Sequence, residues 1–169
     1  MKRYKKTSKT SYALGHTVVF ELIHNKPEII KRIFIHSKIQ RNDVYEKLMH
    51  HCKTLNITVI ESDKAFNIVS PKDNCFVIAE FTKYQSSLDS SKSHIVLVNP
   101  SNAGNLGTIL RTALGFDTDQ IALITPCVDI FDPKTIRASM GAIFSFSFMH
   151  FDDFSQYQTL YSRHHIYCF

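Results

Sequence analysis

An α/β fold with mainly parallel sheets is the class this 169-residue sequence predicts. Three observations predict it. Short apolar runs alternate with segments of helical spacing along most of the chain. That alternation occurs twice, on either side of a polar stretch. Finally, Asn99 to Ala113 follows the apolar run His94-Ile95-Val96-Leu97-Val98 and reads as a polar loop leading from a strand into a helix. Strands joined by helices need crossover connections, which make neighbouring strands parallel.

In the first half, Leu14, Val18, Val19, Leu22 and Ile23 keep helical spacing up to Asn25, and Pro27 supplies a stop. Arg32 to His36 is strand-like. Asn42 or Asp43 can cap a helix through Val44, Leu48, Met49, Cys52 and Leu55. Ile57 to Ile60 is a second strand, Ser62 or Asp63 opens a short helix, and Cys75 to Ala79 is a third strand. The segment 82–93 (Thr82-Lys83-Tyr84-Gln85-Ser86-Ser87-Leu88-Asp89-Ser90-Ser91-Lys92-Ser93) lacks apolar periodicity and reads as a linker. Expected domains are therefore 1–81 and 94–169.

The second half repeats the alternation. After the strand at 94–98 and its loop, a helix runs through Ile109, Leu110, Ala113 and Leu114, with Gly115 as its expected C-cap. Gln120 to Ile124 is a strand. Asp132 before Pro133 is an N-cap with proline at the first helical position, predicting a helix across Thr135 to Ala142. Ile143 to Phe148 is the next strand, and Asp152-Asp153 opens a helix through Phe154, Tyr157 and Leu160. His165 to Phe169 is apolar and strand-like, so a further sheet element is expected beyond it and the chain reads as cut.

Composition narrows the function classes. No apolar run approaches the roughly 20 residues of a membrane span. The basic start Lys2-Arg3-Tyr4-Lys5-Lys6 has no apolar stretch behind it, which argues against a secretory signal. Cys52, Cys75, Cys127 and Cys168 show no CxxC pairing, so free thiols in a reducing cytoplasm are expected. His50-His51 and His164-His165 are adjacent pairs without metal-ligand spacing, and no metal is expected. Residues 1–60 hold 12 Lys/Arg against 4 Asp/Glu, whereas the remainder holds 8 against 11. A basic first half suggests contact with a polyanion. A solvated tail at Lys2 to Lys9, which carries five of those twelve cations, is the competing explanation.

The loop from Asn99 carries the chemistry. It is expected at the carboxyl end of a strand, where open α/β sheets place ligands. Its Asn and Arg side chains can fix a substrate, and Gly104 and Gly107 let backbone approach backbone. An ordinary βα turn, with asparagines supplying left-handed geometry, explains the same residues. A dinucleotide-binding unit fits poorly, because Gly104-x-x-Gly107 lacks the G-x-G-x-x-G spacing and no phosphate-loop motif occurs.

Asn99 to Thr112, followed by Asp129-Ile130-Phe131-Asp132-Pro133-Lys134-Thr135-Ile136-Arg137-Ala138-Ser139-Met140-Gly141-Ala142, resembles the SpoU (TrmH) family of RNA 2′-O-ribose methyltransferases, of the knotted SPOUT class. The resemblance covers roughly residues 94–151. Less specifically, Gly15 to Leu22 and the strand at Arg32 to His36 resemble that family's ribosomal-protein-like RNA-binding domain. The implied architecture is such an N-terminal α/β domain over 1–81, followed by an incomplete SPOUT parallel-sheet domain that is Rossmann-like and normally knotted.

The implied activity is methyl transfer from S-adenosylmethionine to a ribose 2′-hydroxyl in structured RNA, either tRNA or rRNA. The family's N-x-G Asn and the Arg four residues after that Gly map to Asn105 and Arg111, the implied catalytic pair. Arginine is a very poor base in water. Arg111 either orients the 2′-hydroxyl and a phosphate by charge-assisted hydrogen bonds, or accepts the proton once RNA contacts it. The first role demands less chemistry, and Asn105 would then hold the guanidinium or the loop. Arg137 and Asn102 are candidate substrate contacts. Ser139 and Gly141 match the R-A-S-x-G-A segment, either near the cofactor or in tight packing.

Two further motifs of the family, a G-N-E-type loop and an I-P-M…S-L-N segment, do not occur in these 169 residues. The resemblance assigns them most of the cofactor pocket, the knot and the homodimer contact. The expectation is thus a C-terminally truncated methyltransferase that keeps the substrate side of its site. Its alternative is a non-catalytic RNA-binding remnant.

Overall fold

The computed structural model describes residues 2–70 and 74–168. Its first half forms a four-stranded sheet in the order β1-β4-β2-β3, from β1 (Thr10–Leu14), β2 (Ile30–Ile35), β3 (Val59–Glu61) and β4 (Val77–Thr82). Helices α1 (His16–Asn25), α2 (Asp43–Thr54) and α3 (Asp63–Val69) connect them. Asn42 caps α2, its side chain accepting from the amides of Val44 and Tyr45. Leu14, read as the first turn of a helix, instead ends β1, and the helix begins after Gly15.

The expectation of a mainly parallel sheet needs correction here. β2 and β3 are parallel, but β4 is antiparallel to both β1 and β2. Strands β1, β2 and β3 do share one direction, as the crossovers through α1 and α2 require. β4 alone reverses and inserts between β1 and β2. Its residues Val77 to Phe81 are all buried, as befits a central strand. β1 escaped notice because Thr10-Ser11-Tyr12 looks polar. Ser11 is nevertheless fully buried, its hydroxyl donating to the Phe131 carbonyl at 2.6 Å.

The second half is parallel throughout. β5 (Ile95–Val98), β6 (Gln120–Ile124) and β7 (Ser147–Phe151) lie in sequential order, with α4 (Ala103–Gly115) and α5 (Pro133–Ala138) as crossovers. α6 (Phe154–Leu160) follows, capped by Asp153 through the Gln156 amide. Gly115 is the last residue of α4 rather than its cap; the left-handed residue is Asp117, at φ 55°.

The helix expected over Thr135 to Ala142 stops at Ala138, and the strand expected from Ile143 starts only at Ser147. Met140 and Gly141 both have positive φ, at 53° and 89°, and turn the chain into a 3₁₀ segment at Ala142–Ser145. A Cβ on Gly141 would lie 2.7 Å from the Glu21 Cβ, so this turn passes hard against α1. Residues 165–168 form no strand, and Ile166 and Tyr167 are exposed, without a neighbouring ladder.

One apolar core serves both sheets. It unites Val19, Leu22, Ile33 and Phe81 with Leu106, Leu110, Ile121, Ile130 and Phe144. Phe81 meets Phe144 edge-on at 5.3 Å between centroids, a favoured aromatic geometry.

Segment 82–93 is irregular beyond Thr82 but closely tied. Tyr84 donates to the Ile143 carbonyl, the Ser86 hydroxyl exchanges hydrogen bonds with the backbone of Phe148, and the Asp89 amide donates to Gln120. The basic start is tied as well. The Lys83 amide donates to the Lys9 carbonyl and the Tyr12 hydroxyl to the Lys2 carbonyl. Among the described residues no helix is long and apolar enough to cross a membrane.

Candidate functional site

Because β5, β6 and β7 are parallel, their carboxyl ends open at one edge of the sheet, and the loop from Asn99 to Asn102 lies there. Asn99 adopts φ 50°, and its amide donates to the Ile124 carbonyl at 3.1 Å. Pro100 accepts from the Val128 amide at 2.8 Å, joining this loop to the one that follows β6. The Asn102 carboxamide accepts from the Asn105 amide at 2.9 Å and caps α4. Asn102 is thereby engaged in holding the helix start.

Burial divides α4 into two faces. Leu106, Gly107, Leu110 and Ala113 point into the core, whereas Asn105, Thr108, Arg111 and Thr112 are exposed. Arg111 has no salt-bridge partner among the described residues. Six residues separate Asn105 from Arg111, or roughly 9 Å of rise and about 120° around the axis. The two side chains share the solvent face without pairing. Asn105 therefore has no hold on the Arg111 guanidinium, and its position suits a contact with a ligand on that face.

The buried face explains Gly107. A Cβ there would lie 2.5 Å from the Ala138 Cβ, 2.7 Å from the Ser139 nitrogen and 2.7 Å from the Thr135 oxygen. Helices α4 and α5 cross at the distance glycine allows. Ser139 is fully buried, with its hydroxyl donating to the Ile136 carbonyl at 2.8 Å. Asp132 caps α5 through the Lys134 amide. Arg137, half-buried, donates to the Asn74 side chain at 3.4 Å on the opposite flank, toward the first half.

A polar junction that sequence reasoning missed lies beside these loops. Lys83 Nζ donates to Asp129 Oδ2 at 2.9 Å, to the Tyr4 hydroxyl at 2.8 Å and to the Lys6 carbonyl at 2.9 Å. Tyr4 also donates to Asp129. Burial, and then the hydrogen bond to Asp129 with its negative charge, hold the Tyr4 phenol far above the ordinary tyrosine range. For Asp129, burial pushes upward, but hydrogen bonds from Tyr4, Lys83 and the Phe131 amide bring its carboxyl below the usual value. The available signal was slight: one aromatic residue among the lysines of the tail, and one acid at the head of the second motif. Among the described residues, no three His, Cys, Asp or Glu side chains gather as a metal site would require.

Asparagine and arginine on a helix that starts at the carboxyl ends of parallel strands define a site of the open α/β ligand-binding class. Comparison with known proteins makes this specific. Residues 92–169 match the SpoU rRNA Methylase family. A relative from Danio rerio, rRNA methyltransferase 3A, mitochondrial, is 33% identical over 104 residues, covering 60% of this chain and 21% of that protein. An rRNA methyltransferase from Sinorhizobium meliloti superposes with a TM-score of 0.71 at 21% identity, over 92% of this chain and 59% of that one. The SpoU methyltransferase AviRb from Streptomyces viridochromogenes, solved in complex with the cofactor AdoMet, gives 0.73 at 14% identity, over 92% and 59%. The chain thus spans about a fifth of the zebrafish relative and about three fifths of the solved structures.

Proposed function

We propose that this chain supplies the RNA side of a methyl transfer from S-adenosylmethionine to a ribose 2′-hydroxyl. The observation that carries the reading is the N-x-G-x-x-x-R helix of a SpoU-family segment. It starts at the carboxyl end of β5 and presents Asn105 and Arg111 on one solvent face. Arg111 donates to the 2′-oxygen and a neighbouring phosphate, stabilising negative charge as the hydroxyl proton passes to solvent water; a planar guanidinium suits that bidentate task. Asn105 orients the ribose from the first turn.

When bound, S-adenosylmethionine supplies an electrophilic methyl group. The residues that the resemblance places near it are closed off: Ser139 is buried with its hydroxyl engaged, and Gly141 packs on α1. Those two do not fit as cofactor contacts, and this chain's contribution is to hold the RNA. The substrate class we propose is structured rRNA or tRNA, drawn in by the basic first 60 residues. The test is incubation with labelled S-adenosylmethionine and bulk rRNA or tRNA. Label in alkali-resistant dinucleotides, lost on Arg111→Ala, supports the reading. RNA binding without label leaves an RNA-binding protein, and label on a base overturns the 2′-hydroxyl assignment.

A further inference from the structure

A cleft of about 770 Å³ lies between the ends of β1 and α3 on one side and α5 on the other. Tyr4, Leu14 and Val69 wall one side, and Pro133, Lys134 and Arg137 the other. Three features point to its occupant. Most of its surface is apolar, with one aromatic ring. Its two cations, Lys134 and Arg137, have no acidic partner among the described residues. The lining carboxylate, Asp132, accepts the Lys134 amide at the start of α5.

The Arg137 guanidinium has five donors, and among the described residues its one side-chain bond, to Asn74, is long, which suits the guanidinium to an anion. Tyr4 is fixed as a wall, because Lys83 and Asp129 hold its hydroxyl. An apolar and aromatic wall facing two cations, neither paired with an acid among the described residues, matches a flat, stackable group that carries phosphate. The volume falls in the range of sites for one small ligand.

We propose that this cleft binds one unpaired nucleotide of RNA, its base against Tyr4, Leu14 and Val69 and its phosphate on Arg137 and Lys134. Sequence-specific RNA recognition commonly targets unstacked bases in this way. The inference rests on RNA being the substrate, and not on methyl transfer.

The experiment is fluorescence anisotropy with the whole chain and no methyl donor. It uses a labelled single-stranded RNA 8-mer and a duplex of equal phosphate count. Arg137→Leu is expected to weaken single-strand binding about tenfold, with Lys134→Gln weakening it a few-fold and lowering the salt slope by about one. Arg163→Gln, exposed beyond α6 and outside the basic first 60 residues, should change nothing. An 8-mer bearing 4-thiouridine should photocrosslink to peptides containing Tyr4 or Leu14.

Equal affinity for duplex and single strand overturns the proposal, as does full displacement by polyglutamate or crosslinking confined to other peptides. Should Arg137→Leu fail to fold, the exposed Lys134→Gln variant and the crosslink decide. Binding that follows this pattern without any methyl transfer supports the cleft and counts against the catalytic reading alone.

Discussion

Gly107→Ala tests the packing that places the candidate site. Its added methyl would stand 2.5 Å from the Ala138 Cβ and 2.7 Å from two backbone atoms, Ser139 N and Thr135 O. Carbon contacts are comfortable at about 3.5–4.0 Å, so α4 and α5 must part by about 1 Å. Overpacking of this kind costs about 1–3 kcal/mol. Alanine returns up to about 1 kcal/mol through its higher helix propensity. Two of the three clashes involve backbone, which cannot rotate away, so the cost falls in the upper part of that range. The net expectation is a loss of about 1–2 kcal/mol, or roughly 2–8 °C in Tm for a chain of this size. Thermal and urea melts followed by circular dichroism measure it. Adding Ala138→Gly removes one clash and leaves both backbone contacts, so rescue should be partial. A Gly107→Ala protein as stable as the parent would mean that propensity outweighs contact, and the close helix crossing would be refuted.

Asp129→Asn should destabilise the chain by about 1–3 kcal/mol, below the roughly 3–5 kcal/mol of a fully buried pair, because Asp129 and Lys83 keep some solvent. Since the folded carboxyl titrates below its unfolded value, its contribution is present above about pH 4 and fades as pH falls through the folded pKa. The stability gap between parent and variant should therefore narrow in acid melts; a gap that widens below pH 4 would contradict the assignment. Asn102→Ala should cost about 1 kcal/mol as a lost helix cap, and Asn105→Ala almost nothing. Equal urea midpoints for the two variants would remove the cap. Arg111→Ala should leave stability within about 0.5 kcal/mol, because the side chain is exposed. A larger fall in urea midpoint would make Arg111 a structural residue.

The second half was the more legible in sequence because its signals are local. Asp132-Pro133 announces a capped helix, and the strand read at Gln120 to Ile124 is β6, residue for residue. The errors arose where distant contacts override local pattern. Ser11 is buried because Phe131, 120 residues away, offers it a carbonyl. β4 reverses the first sheet by inserting between strands already placed, which no local periodicity encodes. Met140 and Gly141 end α5 early because the chain there must clear Glu21 on α1. At the site, the Asn–Gly–Arg spacing was readable, whereas the separation of Asn105 from Arg111 around α4 follows only once the helix start at Ala103 is known.

Long-range contacts also tie the basic first half to the loop. Tyr4 and Lys6 belong to the first half and Lys83 to the segment that follows it, and all three meet the segment 127–129 that follows β6: Lys6 at the Cys127 carbonyl, Tyr4 and Lys83 at Asp129. Within that segment the Val128 amide donates to Pro100, in the loop that leads to Asn102 and α4. The segment 127–129 and one backbone hydrogen bond thus link the basic first half to the loop before α4, beside the shared apolar core. If that route positions the loop, Asp129→Asn should speed hydrogen exchange at the Val128 amide while leaving Leu22 and Ile121 protected. Uniform acceleration across both sheets would show instead that Asp129 supports global stability alone.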